Sequence, residues 1–561
     1  MTDEEDYAYQ SFGSPAAHAA KKRMLLHDLY RNIGVTSVAL GIIFLCMRLS
    51  ALMQNESMID THTVGPAGSD HDGVCANGFP SDFVWGLGTA SYQIEGGWNE
   101  AGRQPSIWDE FSHAHPEKID NGDTGDVADD HFHRYRSDVQ LMASIGLRHY
   151  RWSISWSRVM SWDAQARRMV PNEEGLRFYD HLLDALEAAG IKSYITLYHW
   201  DLPLALQTEL GGWHTPNNRA IVDEFVRYAD LCFSRYGRRN SIGLWVTFNE
   251  PWTFAVSGYS AGNHAPGCVP YHDGDGPCPN GDVAVYIVST NVLNAHAAAV
   301  ALYRSTYQRG KVGLPSGAVP ISITLPCEIS LPQTASAEDA AAAERANEFW
   351  LGWWLQPVLT GDYPKVMREF VGERLPTFTR DEQEALKNSI DVLTLNHYST
   401  HLVRALRAGE SGDTSNSWMQ DQRIAYKMGE DWPQAASSWQ RMYAPGLRAL
   451  LNWAARPGGP RWQGDVIITE NGWSCNSMTV VDAANDIEQL RYYKEYTEQV
   501  KLAMSLDGVK VKGYFGWSLL DNYEWADGYS KRFGLFYVDY ATQTRTPKLA
   551  ARWWNATRSR C

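Results

Sequence analysis

Two glutamates stand at the ends of strand-like runs and could share one reaction. The first closes Trp245-Val246-Thr247-Phe248-Asn249-Glu250-Pro251, an apolar β-type run that stops in an amide, a carboxylate and a proline. Pro251 lacks a ladder donor, so the strand ends there and leaves Glu250 at its C-terminal tip. The second closes Asp465-Val466-Ile467-Ile468-Thr469-Glu470-Asn471-Gly472 in the same manner. A parallel barrel keeps its chemistry at strand C-termini, and paired carboxylates at one rim can cleave a glycosidic bond. One would protonate the leaving oxygen while the other attacks the anomeric carbon.

Such a pair needs a scaffold, and the chain supplies repeated strand-helix units. From Phe79 onward, runs at Phe83 to Gly88, His149 to Ile154, Ser193 to Leu197 and the Glu250 stretch alternate with amphipathic helices. Further runs follow at Ala318 to Leu325, Asp391 to Asn396, the Glu470 stretch and Val511 to Trp517. Eight strands alternating with helices predict a (β/α)8 TIM barrel. Gln93, Arg151, His199, Glu250, Asn396, Glu470 and Trp517 fall at or just after seven of the tips; the fifth shows no functional residue. In this arrangement Asn249 can donate to a sugar 2-hydroxyl, and Arg151 can hold Glu470 ionised.

The chain's 561 residues suffice for one large barrel plus a head segment, and its net charge of -15 argues against nucleic acid. Its 23 Trp include candidates for stacking on sugar C–H faces, although most must fill the core. The head divides into an expected cytoplasmic tail (1–32), a transmembrane anchor (33–53) and a Gly/Ser/Asp-rich linker (54–77), with the glycosidase domain at 78–561. Lys21, Lys22, Arg23 and Arg31 precede the apolar run and acidic residues follow it. A single-pass type II topology is therefore expected, with the catalytic domain lumenal or extracellular. A cleaved signal peptide is the competing reading, weakened by the long polar segment before the run. Asn55 and Asn555 open glycosylation acceptor patterns usable on the lumenal side. His131 and His133 do not suggest a metal, because i and i+2 diverge on a helix.

The two glutamate motifs resemble the acid/base and nucleophile signatures of glycoside hydrolase family one, the β-glucosidases. The resemblance extends from about Phe79 to Trp554 and includes Ser91 to Gly96, Arg151 to Arg158, Tyr198 to Pro203, Asn396-His397-Tyr398 and Trp517 to Trp525. It implies Glu250 as acid/base, Glu470 as nucleophile, and Gln93, His199, Asn249, Glu524 and Trp525 gripping the glycone, with Trp517 as its platform. Asn396 and Tyr398 would order the site, Tyr398 touching the nucleophile, and Trp439 would line the aglycone entrance. No metal or other cofactor is implied, and the implied partner is a small β-glucoside or oligosaccharide.

Glu250, where thioglucosidases have Gln, separates the chain from that branch, and Glu524 argues against phosphorylated sugars. Two segments depart from the family pattern: Arg441-Met442 after Trp439, and Pro320 with Leu325-Pro326-Cys327-Glu328 around the fifth strand. In an oxidising compartment Cys268 and Cys278 are expected to pair, as in the corresponding loop of plant relatives. Cys75 with Cys561 is a second possible pair, and Cys232 is expected as a buried free thiol. The alternatives kept open are a transglycosylase on the same scaffold and a catalytically silent sugar-binding membrane protein.

Overall fold

Eight runs of β-branched and aromatic residues form eight parallel strands: β1 (Val84–Gly88), β2 (His149–Ser153), β3 (Lys192–Tyr198), β4 (Ile242–Asn249), β5 (Ile321–Pro326), β6 (Leu393–Asn396), β7 (Val466–Asn471) and β8 (Val511–Trp517). Each pairs with its sequence neighbours, and β8 returns to β1 to close the ring. Both strand faces are covered, which is why the runs read as continuously apolar. This computed structural model describes residues 75, 77–216, 219–269, 278, 281–308, 319–476 and 479–558. The expected tail, anchor, Asn55, nearly all of the linker and Cys561 lie outside them.

The barrel interior is packed. Tyr194, Leu244, Val246, Val392, Ile467 and Phe515 form its own cluster, with Tyr194 and Phe515 ring centroids 4.8 Å apart. Around it the helices bury one stripe each. Arg219–Tyr236 buries Ile221, Phe225, Tyr228, Cys232 and Tyr236, spaced at three and four residues as an amphipathic helix requires. Cys232 is thus a buried free thiol, as expected. One described helix, Asp282–Gln308, is long and apolar enough to cross a membrane, but its apolar window is 83% buried. It packs on Arg219–Tyr236 and Pro251–Tyr259, so its apolar surface serves the core.

Two additions shape the barrel mouth. A three-stranded sheet of Ile329–Pro332, Thr400–Ala405 and Ile424–Lys427 follows directly from the ends of β5 and β6. A hairpin, Phe536–Asp539 with Thr544–Pro547, caps the loop after β8. Asp521 in that loop accepts from Arg532 at 2.9 Å and from Lys548 at 2.7 Å, with Asp521 and Lys548 fully buried. Removing one partner of such a cluster costs about 3–5 kcal/mol, because a buried charge is left unpaired. The cluster therefore fixes the loop that carries Glu524 and Trp525.

The chain ends of this unit lie together: Asn77 Nδ2 donates to the Thr557 carbonyl at 3.1 Å. Cys268 and Cys278 form a disulfide with Cα atoms 5.3 Å apart. Asn555 is half-buried on the helix Leu549–Arg558. His131 is buried against Asp138 at 2.8 Å, while His133 is exposed and bonded to Asp130 and Glu100. No cluster of metal ligands occurs among the described residues.

Candidate active site

At the C-terminal ends of the strands lies a cavity of about 410 Å³ whose lining includes Glu250 and Glu470. Glu470 occupies the next-to-last position of β7. Just beyond it, a Cβ on Gly472 would lie 1.9 Å from the Trp517 carbonyl oxygen. Only a residue without a side chain lets β7 and β8 approach so closely here. Glu250 sits one residue past β4, in left-handed backbone with φ 47°, as the N-cap of Pro251–Tyr259. Trp200 (φ 78°) and Trp525 (φ 54°), both lining the cavity, share that conformation. Such backbone costs of order 1–3 kcal/mol per residue and persists where the surroundings over-determine it.

A chain of hydrogen bonds joins the two carboxylates. Asn396 Nδ2 donates to Glu250 Oε1 at 2.7 Å and to Asn249 Oδ1 at 3.2 Å. Arg151 donates from Nη2 to Asn249 Oδ1 at 2.6 Å and from Nη1 to Glu470 Oε1 at 2.5 Å. Tyr398 completes it by donating to Glu470 Oε2 at 2.7 Å, while Thr253 Oγ1 donates to Glu250 Oε2 at 2.8 Å. The two environments differ. Glu470 has a guanidinium against it; Glu250 has only neutral donors.

Burial first, then the neighbouring Glu470, pushes the Glu250 carboxyl up to about 7. Burial also raises Glu470, but Arg151 and Tyr398 oppose it. Burial and the charge of Arg151 hold His199 well below its usual value, so the imidazole is neutral. Its Nε2 accepts from Asn249 Nδ2 at 2.9 Å, which places the ring proton on Nδ1, a buried atom with no protein partner. Burial raises Glu524 well above the ordinary carboxylate range, and Gln93 Nε2 donates to its Oε2 at 3.3 Å.

The residues that the sequence singles out for the site gather around this cavity. Gln93, on the single turn Ser91–Ile94 after β1, lines the cavity with His199, Asn249, Asn396, Tyr398, Trp517, Glu524 and Trp525. Arg151 stands behind them, fully buried. Trp517 stacks near the His199 ring, with centroids 5.9 Å apart and planes 19° from parallel. Trp439 is 42% exposed at the rim, stacked on Phe533 and edge-on to Tyr398.

The fifth strand corrects the sequence reading: Pro326 and Glu328 at its end both line the cavity, as do Trp252, Trp350, His401 and Asp527. The lining holds five carboxylic side chains and no Lys or Arg. Arg441 turns its guanidinium to the carbonyls of Glu430 and Trp432 and takes no part in that lining.

Known proteins resemble this chain in sequence and fold. The profile of glycosyl hydrolase family 1 matches residues 75–560. Raucaffricine-O-beta-D-glucosidase of Rauvolfia serpentina is 39% identical over 527 residues, which cover 89% of this chain and 93% of that protein. Beta-glucosidase 42 of Arabidopsis thaliana is 42% identical over 482 residues, covering 85% and 93%. A mutant of the rice Os3BGlu6 beta-glucosidase, solved in a covalent complex with Glc, superposes with a TM-score of 0.78 at 37% identity, covering 86% of this chain and 99% of that one. The closed barrel, the two linked carboxylates and these matches over most of its length place the chain in glycosyl hydrolase family 1.

Proposed function

We propose that this retaining β-glucosidase releases terminal non-reducing β-D-glucosyl residues with Glu470 as nucleophile and Glu250 as acid/base. The observation that carries the assignment is the asymmetry of the two carboxyls: Arg151 bonds Glu470, whereas only Asn396 and Thr253 bond Glu250. A guanidinium favours the ionised form that can attack, and burial among neutral donors favours the protonated form that can deliver a proton. Gln93, His199 and Glu524 bond the hydroxyls of the glycone, Trp525 lines it and Trp517 supplies its stacking face. Asn249 donates to the 2-hydroxyl, where the contact strengthens as charge develops.

Attack by Glu470 forms a glycosyl ester and breaks the glycosidic bond, while Glu250 gives its proton to the departing oxygen. The ester has no negative charge, so one of the causes raising Glu250 disappears once the intermediate forms. Glu250 is then a better base, and it takes a proton from the incoming water. Turnover of an aryl β-glucoside, followed by NMR from the first minutes, should show the β-anomer first. An α-anomer formed first would reject the scheme. Glu470→Gly should be inert yet recover turnover with azide, giving an inverted glycosyl azide; no recovery would remove Glu470 from its role.

For residues 33–53 we propose the type II anchor, supported by the apolar run between basic and acidic flanks. Full-length protein should stay with membranes through alkaline carbonate washing, with glycans on Asn55 and Asn555 removable by endoglycosidase. Release by carbonate would reject the anchor.

A further inference from the structure

Thr469, the residue before the nucleophile, carries a hydroxyl in an apolar place. It follows Val466-Ile467-Ile468 in β7, a strand buried along its whole length, and is itself fully buried. Its branched Cβ suits the strand, and a valine would suit it as well. A hydroxyl in such a position is unfavourable unless it is bonded. Thr469 Oγ1 reaches three acceptors: Asn396 Oδ1 at 2.7 Å, the Leu395 carbonyl at 3.2 Å and Thr324 Oγ1 at 3.5 Å. The shortest of these contacts takes the proton.

The partners of Asn396 fix which way its amide faces. Arg151 has only donors, so the Asn249 atom that it meets at 2.6 Å is the amide oxygen. The Asn396 atom facing that oxygen at 3.2 Å is therefore the nitrogen, and the same nitrogen donates to Glu250 Oε1 at 2.7 Å. Asn396 Oδ1 is left on the opposite side, where the Thr469 hydroxyl is its side-chain donor among the described residues. Donation to one end of an amide strengthens the N–H bonds made at the other. The hydroxyl thus both aims and strengthens the bond from Asn396 to Glu250. The charged and titratable groups around Glu250 are Arg151, Glu328, Tyr398, Glu470 and Glu524, and the Thr469 hydroxyl bonds none of them.

We infer that Thr469 is a positioning residue for the acid/base: its hydroxyl acts through Asn396 on Glu250, at the end of another strand, although its neighbour in the chain is the nucleophile. The inference rests on the reading of Glu250 as acid/base given above. The bond from Asn396 favours the ionised form of Glu250. Without the hydroxyl that bond weakens, so Glu250 keeps its proton to higher pH and gives it up less readily to a departing oxygen. Substrates whose leaving groups need that proton feel the loss first.

The test follows kcat/KM against pH on phenyl β-glucoside, whose leaving group needs a proton, and on dinitrophenyl β-glucoside, whose leaving group does not. It compares the wild type with Thr469→Val, Thr469→Ala, Thr469→Ser and Glu250→Gln. Valine keeps the bulk and removes the hydroxyl; serine keeps the hydroxyl and removes the methyl. Thr469→Val should lose about tenfold on the phenyl glucoside and little on the dinitrophenyl one, with the alkaline limb moved up by about half a pH unit. Thr469→Ala, smaller and equally without a hydroxyl, should move the limb in the same way, and Thr469→Ser should restore both readouts. Equal loss on the two substrates with an unmoved limb means that Thr469 only packs β7 and overturns the inference, as does a serine variant that falls with the valine one. Glu250→Gln separates the two levels of the argument. If it loses the phenyl substrate selectively while Thr469→Val does not, the inference alone fails; if it loses both substrates equally, the acid/base reading fails and the inference with it.

Discussion

Glu250 shows how one residue's surroundings set a pH response. With its carboxyl pushed up to about 7, kcat/KM should fall on the alkaline side with a midpoint there, as the proton donor is lost. The same shift acts on stability with a definite sign. The folded chain holds this proton more tightly than the unfolded one, so ionisation penalises the fold: not below 4.5, increasingly up to about 7, and fully above. Glu250→Gln, which cannot ionise, should gain on the wild type in thermal unfolding as pH rises across that window, by at most about 3 kcal/mol. A stability gap flat from pH 4 to 8 would contradict this. Glu250 and Glu470 were legible in the sequence because an apolar run that ends in Asn-Glu-Pro or Glu-Asn-Gly has few structural reasons to do so. Glu328 was not, since it follows a Pro-Cys pair beyond the strand, in a segment that departs from the family pattern. Trp350 lies in the helical Phe349-Trp350-Leu351 run, which reads as core, and its exposure to the cavity depends on how that segment packs.

Individual strands set how finely these residues are held. β7 and β8 approach at Gly472 until no Cβ fits against the Trp517 carbonyl, and Glu470 is two residues away. Gly472→Ala should push the strands apart, cost about 1–3 kcal/mol of stability by overpacking, and lower kcat about a hundredfold by displacing the nucleophile. Thermal melts and kcat together test it; unchanged kcat would mean that the tip is held elsewhere, at Arg151 and Tyr398. The eight strands were legible to within a few residues because each is buried on both faces. Their ends were less so: Glu250 lies outside β4 and Gln93 on a separate turn, since backbone pairing with neighbouring strands decides where a ladder stops. The Asp282–Gln308 helix carries the opposite lesson, for its apolar composition suits a membrane and only its neighbours show that it belongs to the core.

At the scale of the molecule, residues 74–561 form one unit that holds the whole barrel and the site. Deleting residues 1–73 should leave an enzyme that remains in the supernatant, unfolds at the same temperature and keeps its kcat. Aggregation or inactivity would give the head a structural role. The barrel was foreseeable from repetition along the chain, but the ring of carboxyls at its mouth was not, because its members come from four separate segments. Glu250, Glu328, Glu470, Glu524 and Asp527 face one enclosed volume with no compensating cation among the lining residues. Burial raises Glu250, Glu328 and Glu524 above the ordinary carboxylate range, so a positively charged guest that favours their ionised forms would expel protons from the cavity. Small protonated amines, common buffer species among them, should therefore bind as proton-releasing inhibitors. Their grip should tighten from pH 5 to 7, so the buffer chosen for an assay becomes one of its reactants.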